Sequence, residues 1–318
     1  MTSAIHHADV VLDVIGSRRS AAVSPVAASW CRSALHHHLD PARATRRELI
    51  DAGALALLRE ANAALLRAAA PVLDQTYLSV GRSGCGVVLS DAQGVILDRR
   101  VGAGDGDDFA ATGLVEGARW SEADEGTNGI GTCLFEGRPV VIHRDQHFAA
   151  HNVDISCMDA PVYDPHGRLA GALDVSSCRH DHGPAIAEMI GALVREAARS
   201  IERDYFCRHF EGARIIFLPD DAANGTALLA TDRDDLVIGA SRAARLRLGL
   251  SDAALANPRP MDQLLGRSVA SSFGDADRTV LRQALARSGG NVSEAARLLG
   301  VGRATLYRRL ARAGVKPS

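Results

Sequence analysis

Apolar residues fall into two periodicities along the chain, one helical and one alternating, and these divide it into four stretches. From Thr45 to Ala70, Leu49, Ala52, Leu55, Ala56, Leu58 and Leu66 recur at helical spacing and predict a long amphipathic helix that Pro71 stops. Gly86–Ser90, the turn Asp91-Ala-Gln-Gly94 and Val95–Leu97 predict a hairpin. The same pattern returns as Ala160–Tyr163, Asp164-Pro-His-Gly167 and Leu169–Val175. A helix is predicted over Pro184–Phe206, with Ile186, Met189, Ile190, Leu193, Val194 and Ile201 on one side. Hairpins flanked by helices, without regular βαβ crossovers, indicate an antiparallel α+β domain. Further on, Arg214–Leu218 and Thr226–Thr231 predict strands and Ser241–Leu250 a short helix, while Asn257–Pro260 and Ser268–Gly274 predict loops. The resulting division is a helical region over 1–71, an α+β domain over 72–207, a small domain over 212–266 and a helical module over 275–318.

The last module divides into three helices. Val280, Leu281, Ala284 and Leu285 give the first an apolar stripe, and Gly289-Gly290 ends it. Asn291 or Ser293 can cap the second, whose inward residues are Val292, Ala295, Ala296 and Leu299. Gly300-Val301-Gly302 supplies the tight turn of a helix-turn-helix. In the third, from Arg303 to about Ala313, Leu306, Leu310 and Ala313 share one face. Thr305, Arg308 and Arg312 point away from it, with Tyr307 and Arg309 at the boundary. Such a face can lie in a DNA groove, its arginines gripping phosphate or pairing with guanine.

Charge strengthens that reading. The whole chain carries −2, yet from Asp275 onward nine basic residues oppose three acidic ones. A solvated helical bundle could be equally basic, but the glycine turn and arginine-faced helix favour DNA. Lys316 is the only lysine, so arginine usage alone says little at any one site. With 47% hydrophobic and 23% charged residues, global disorder is excluded. Met1–Gly16 lacks the pattern of an export signal, and no run of about 18 apolar residues spans a membrane. Six cysteines without a CxxC pair read as free thiols of a cytoplasmic protein.

Candidate chemistry centres on WSEADEGTNGIGTCLFEGRPVVI, Trp120–Ile142. Thr127 or Asn128 can cap a helix starting near Ile130, and Gly126, Gly129 and Gly131 allow close backbone approach. The turn can equally be a tight packing element. His143, His147 and His151 would share a face if helical, and could bind a metal with Cys157, but their neighbours Asp145, Gln146, Asn152 and Asp154 favour a polar loop. His36-His37-His38 reads as a solvated helix end, and His180 and His182 as loop residues. Cys85, Cys133 and Cys157 open a thiol-redox alternative, although no charge pattern singles out a thiolate; Cys157 reads better as a small buried residue. No catalytic triad or carboxylate pair can be assembled, so no catalysis and no cofactor are expected.

GNVSEAARLLGVGRATLYRRL resembles the Fis-type helix-turn-helix of bacterial enhancer-binding activators. The resemblance implies a homodimer reading an inverted-repeat operator, with Arg303, Thr305, Tyr307, Arg308, Arg309 and Arg312 toward DNA. The Trp120 motif, CMDAPVYDPHGRLAGALDVSS, SWCRS (Ser29–Ser33) and LDP (Leu39–Pro41) resemble the GAF-domain regulators of acetoin and glycerol metabolism. That implies a small polar metabolite as effector, with Trp120, Asn128, Thr132, Cys157 and Asp174 as the candidate pocket. Leu228–Leu250 resembles a reduced PAS domain. Larger members of this family carry an AAA+ ATPase between sensor and DNA-binding module. Here roughly 65 residues separate Cys207 from the final helices, and no GxxxxGK[ST] loop occurs. Regulation by DNA occupancy, by contact with RNA polymerase or by partnering a full-length relative is therefore expected instead of ATP-driven remodelling. The alternatives are a GAF-type thiol redox enzyme resembling methionine sulfoxide reductase, and an architectural DNA-binding protein that senses no ligand.

Overall fold

The structure is a computed structural model that describes residues 2–17, 24–43, 49–179, 182–219, 225–266 and 273–315, with side chains omitted at 2–5 and 273–276. It forms two compact units, 1–259 and 260–318. His180, Lys316, residues 45–48 of the first predicted helix and residues 268–272 of a predicted loop lie outside the described residues.

The first unit opens with α1 (Thr2–Gly16), α2 (Pro25–Cys31) and a π-helical turn over Arg32–His36. α3 (Ala52–Ala61) and α4 (Ala63–Val80) follow. The break predicted at Pro71 falls instead at Asn62, whose φ of −99° and ψ of 16° leave the helical region, and Pro71 lies inside α4. α3 buries none of its residues, so the apolar positions at its start do not form a core face. α4 buries Leu65, Ala68, Ala69, Leu73, Thr76 and Val80.

The central sheet is built from β1 (Cys85–Asp91), β2 (Ile96–Arg100), β3 (Val140–His143), β4 (Ser156–Tyr163) and β5 (Leu169–Ser177). Its order is β2-β1-β5-β4-β3, with every neighbouring pair antiparallel. Both predicted hairpins are present. Gly94 and Gly167 adopt φ of 80° and 78° at their turns, where a side chain would be strained.

The sheet is covered on both faces. α4 and α8 (Pro184–His209) pack on one, where Leu73, Val87, Leu89, Leu173, Val175, Val194 and Ile201 form the core. Only half of the predicted stripe of α8, Ile190, Val194 and Ile201, faces the core. Ile186, Met189 and Leu193 are exposed, and the buried side runs through Ala187, Ile190, Gly191, Val194, Ala197, Ala198 and Ile201. The small residues Ala and Gly let α8 sit close to the sheet and to α4. On the other face, α5 (Gly106–Thr112), α6 (Glu122–Glu125) and α7 (Gly129–Glu136) enclose a second core around Phe109, Trp120, Ile130 and Cys157.

After α8 comes a smaller antiparallel sheet, β6-β7-β8, of Arg214–Phe217, Leu228–Thr231 and Val237–Ala240. Two strands and the helix α9 (Arg242–Leu248), capped by Ser241, match the sequence expectation. The third strand was not legible, because Val237-Ile-Gly-Ala240 has no clear alternation. α10 (Asp252–Ala256) closes this unit.

The second unit contains α11 (Met261–Leu264), α12 (Phe273–Arg287), α13 (Val292–Leu298) and α14 (Arg303–Arg312). Leu281, Ala284, Leu285, Val292, Ala295, Ala296, Leu306, Leu310 and Ala313 build its core, with Leu299 half-buried against it. Val280, expected inside, is exposed.

Candidate functional site

In the second unit, the Oδ1 of Asn291 accepts the amides of Ser293 and Glu294 and so caps α13. Gly300, at φ 62°, turns the chain into α14. Leu306 and Leu310 are buried on α13 and α12, which fixes the roll of α14. Arg303, Tyr307, Arg308, Arg309 and Arg312 are consequently exposed, while Thr305 is half-buried rather than turned outward. Arg303 lies 5.8 Å over the Tyr307 ring.

In the first unit, the sequence around Trp120 forms a locked turn. The Trp120 indole donates to the Gly113 carbonyl at 3.0 Å. Asn128 caps α7: its Oδ1 accepts the Gly131 amide at 2.8 Å, and its Nδ2 donates to the Gly126 carbonyl at 2.8 Å. Thr132 Oγ1 accepts the Asn128 amide. A side chain at Gly131 would strike the Glu122 amide and the Trp120 carbonyl, and one at Gly129 would strike Asp159 and Cys157. The close approach expected of these glycines is therefore a backbone packed on this chain's own atoms.

The N-terminal region docks onto that turn. Ser29, fully buried, lies 2.7 Å from Thr127 Oγ1 and donates to Glu122 at 3.0 Å. Arg32 grips both Glu122 oxygens, at 2.6 and 3.0 Å, and reaches Glu136 at 3.2 Å. Sequence reading missed this pairing, although Ser29, Arg32 and Glu122 all belong to its two quoted motifs.

Cys157 and Asp174 meet beneath α7. Ser176 bridges them, its hydroxyl 2.8 Å from Asp174 Oδ2 and 3.2 Å from Cys157 Sγ. His147 is fully buried, not a surface-loop residue. Its Nδ1 lies 2.9 Å from the Arg144 carbonyl, to which it donates, and its Nε2 lies 3.4 Å from Cys157 Sγ. His143 ends β3, His147 follows the 3-10 turn Arg144–Gln146 in extended conformation, and His151 lies in the 3-10 turn Ala150–Asn152, so the three share no helix face. His182 is also buried, 3.8 Å from Cys85 Sγ.

Asp159 stands directly opposite Asp174 across β4 and β5. Both are buried, and among the described residues the Asp159 oxygens have no polar partner other than the facing Asp174 carboxyl. Desolvation pushes Asp159 well above the usual carboxylate range and Asp174 to about 7, the Ser176 hydroxyl and Asp159 drawing Asp174 partly back. Burial also raises the Cys85, Cys133 and Cys157 thiols, which stay protonated and poorly nucleophilic.

A five-stranded antiparallel sheet enclosed by helices, in a chain that ends in a helix-turn-helix, defines a sensor-type regulatory architecture. Residues 40–201 match the GAF domain family and residues 272–312 the bacterial regulatory protein, Fis family. The chain belongs to the GAF domain family. It is 32% identical over 224 residues to the acetoin catabolism regulatory protein of Cupriavidus necator, covering 69% of this chain and 34% of that one. It is 34% identical over 149 residues to AcoR, the acetoin dehydrogenase operon transcriptional activator of Bacillus subtilis, covering 44% and 24% respectively. The chain thus spans between a quarter and about a third of the length of these relatives. The crystal structure of the E. coli DhaR(N)–DhaL complex shares the fold, with a TM-score of 0.52 and 19% identity over 75% of this chain and 80% of that one. Among the described residues, no helix is long and apolar enough to cross a membrane.

Proposed function

We propose that this chain is a cytoplasmic, ligand-responsive transcriptional regulator that binds DNA sequence-specifically as a homodimer. The observation that carries the reading is α14: Leu306 and Leu310 turned inward, and four arginines and Tyr307 exposed beside a tight turn. In this reading Arg308 reads a base edge and Arg303 grips phosphate, with Thr305, Tyr307, Arg309 and Arg312 completing the contact. The segment between α8 and α12 is too short for an ATPase, so regulation proceeds by occupying DNA, by touching RNA polymerase or by pairing with a full-length relative. The reading divides the chain as a helical region over 1–71, a GAF sensor over 72–207, a PAS-like domain over 212–266 and the DNA-binding module over 275–318.

The effector in this proposal is a small polar metabolite, a short carbonyl or polyol compound such as the relatives' names suggest. Its site is the enclosed group of Cys157, Asp174 and Asp159, where a buried carboxyl pair has no other donor for the Asp159 oxygens among the described residues. Trp120, Asn128 and Thr132 hold the turn that closes over it. Homodimerisation is supported by the exposed apolar stripe of Ile186, Met189 and Leu193 along α8. Raised thiols speak against the redox alternative.

Selection from randomised duplexes tests the DNA reading. The full chain should enrich an inverted repeat; recovery of no shared sequence would leave only non-specific binding and refute it. A screen of acetoin-like carbonyls and polyols tests the sensor. One class should raise the melting temperature by mass action, and Cys157→Ala should abolish the rise.

A further inference from the structure

At the far end of β4, beside α8 and α9, lies a cleft of about 240 Å³ that shares no residue with the Cys157–Asp174 group. Arg138, Arg195, Arg199 and Arg242 line it, with Tyr163 and Glu202 at its wall. Four arginines thus line one concavity in a chain whose net charge is −2; Arg199 is engaged with Glu196 at 3.9 Å, which leaves Arg138, Arg195 and Arg242. Arg195 forms no ion pair among the described residues, and Arg242 forms none either, stacking instead 4.2 Å over the Tyr163 ring. Arg138 has only Glu136, at 3.5 Å, and Glu136 is already held by Arg32.

Among the described residues, Glu202 is the one carboxylate that lines the cleft. Glu202 Oε1 accepts the Tyr163 amide at 3.0 Å, and burial pushes its carboxyl up to about 7. Tyr163 is itself tied down, its hydroxyl donating to the Gly137 carbonyl at 2.8 Å. The walls are therefore fixed by the sheet, whereas the Arg138 and Arg195 heads reach the cleft from exposed positions. Guanidinium groups in a partly desolvated concavity favour carboxylate or phosphate, which they bind through paired N–H···O bonds.

We propose that this cleft is a second small-molecule site, specific for a compact oxyanion such as a polycarboxylate or a phosphorylated metabolite. Arg242 belongs to α9 and Arg195 to α8, so the bound oxyanion would bridge the central sheet's cover and the smaller β-sheet domain. This site is independent of the effector pocket proposed above and of DNA binding.

The test is a titration of the full chain with citrate and with inorganic phosphate at constant ionic strength, followed by melting temperature and by calorimetry. Citrate and phosphate distinguish the two sources of the oxyanion. At least one should give a saturable rise, and chloride at the same ionic strength should give none. Arg195→Ala/Arg242→Ala should weaken binding at least tenfold, whereas Arg82→Ala, outside the cleft, should leave it unchanged. Arg195→Glu, a substitution at an exposed position, gives the same result without disturbing the Tyr163 stack. Absence of a saturable rise with either anion overturns the proposal, as does equal binding by the Arg195 variants. Two acids, Asp220 and Asp221, stand shortly before Gly225 in the sequence. If only Asp220→Asn/Asp221→Asn binds the anion and the unaltered chain does not, the arginines serve the chain's own carboxylates and the proposal fails.

Discussion

Asp159 and Asp174 are paired across two central strands without a basic partner, and they make the folded chain hold protons that the unfolded chain releases. Unfolded, both titrate near 3.8; folded, Asp174 reaches about 7 and Asp159 rises well beyond the usual range. The stabilisation that their protonation contributes is complete below about pH 4 and is lost as pH rises toward and past 7. Cys133 and Cys157 share this pocket as neutral thiols and do not oppose the trend. Asp159→Asn copies the neutral carboxyl and cannot ionise. Its melting temperature relative to the unaltered chain should therefore climb from pH 4 to pH 8. A difference that stays flat across that range would show that Asp159 is not held protonated. At the same scale, Asn128 has its amide committed to Gly126 and Gly131. Its replacement therefore loosens α7 as a cap loss of about 1 kcal/mol, and it is a poor reporter of ligand contact.

Among the elements, α14 depends on two leucines. Leu306 and Leu310 are 0% and 1% exposed in a core that is small because the unit is small. Leu306→Ala should cost roughly 2–5 kcal/mol through the cavity it leaves. Chemical denaturation followed at the helical signal of the isolated transition checks this; a loss below about 1 kcal/mol would mean that α14 is not seated on α12 and α13. The helix-turn-helix was legible in the sequence because each signal is local: a glycine turn, an Asn cap and a period of leucines. Hairpins at Asp91–Gly94 and Asp164–Gly167 were legible for the same reason. α8 was placed correctly and Ile190, Val194 and Ile201 face the core as expected, but Ile186, Met189 and Leu193 do not, because burial went to Ala187, Gly191 and Ala197, which hydrophobicity ranks below Met189 and Leu193. Pro71 misled because a proline within α4 was tolerated where packing of Leu65, Leu73 and Val80 on the sheet outweighs one lost hydrogen bond. The Ser29–Arg32–Glu122 contact spans about 90 residues, and no local pattern reports it.

For the whole molecule, the proposal couples a sensor to a paired DNA reader. Met189 is 67% exposed at the centre of the α8 stripe. Met189→Glu should convert the dimer to monomer in sedimentation and weaken operator binding by more than tenfold, since one half-site remains. A stable dimer in this variant would place the seam elsewhere. The central claim is that α14 reads sequence, and salt-titrated binding of Arg308→Ala and Arg303→Ala to operator and scrambled duplexes tests it most directly. Arg308→Ala should lose roughly 1–3 kcal/mol on the operator and relax preference at one base pair in each half-site. Arg303→Ala should weaken both duplexes alike and reduce the salt slope by about one unit per contact, twice that in a symmetric dimer. Unchanged operator affinity and selectivity in Arg308→Ala would contradict the account.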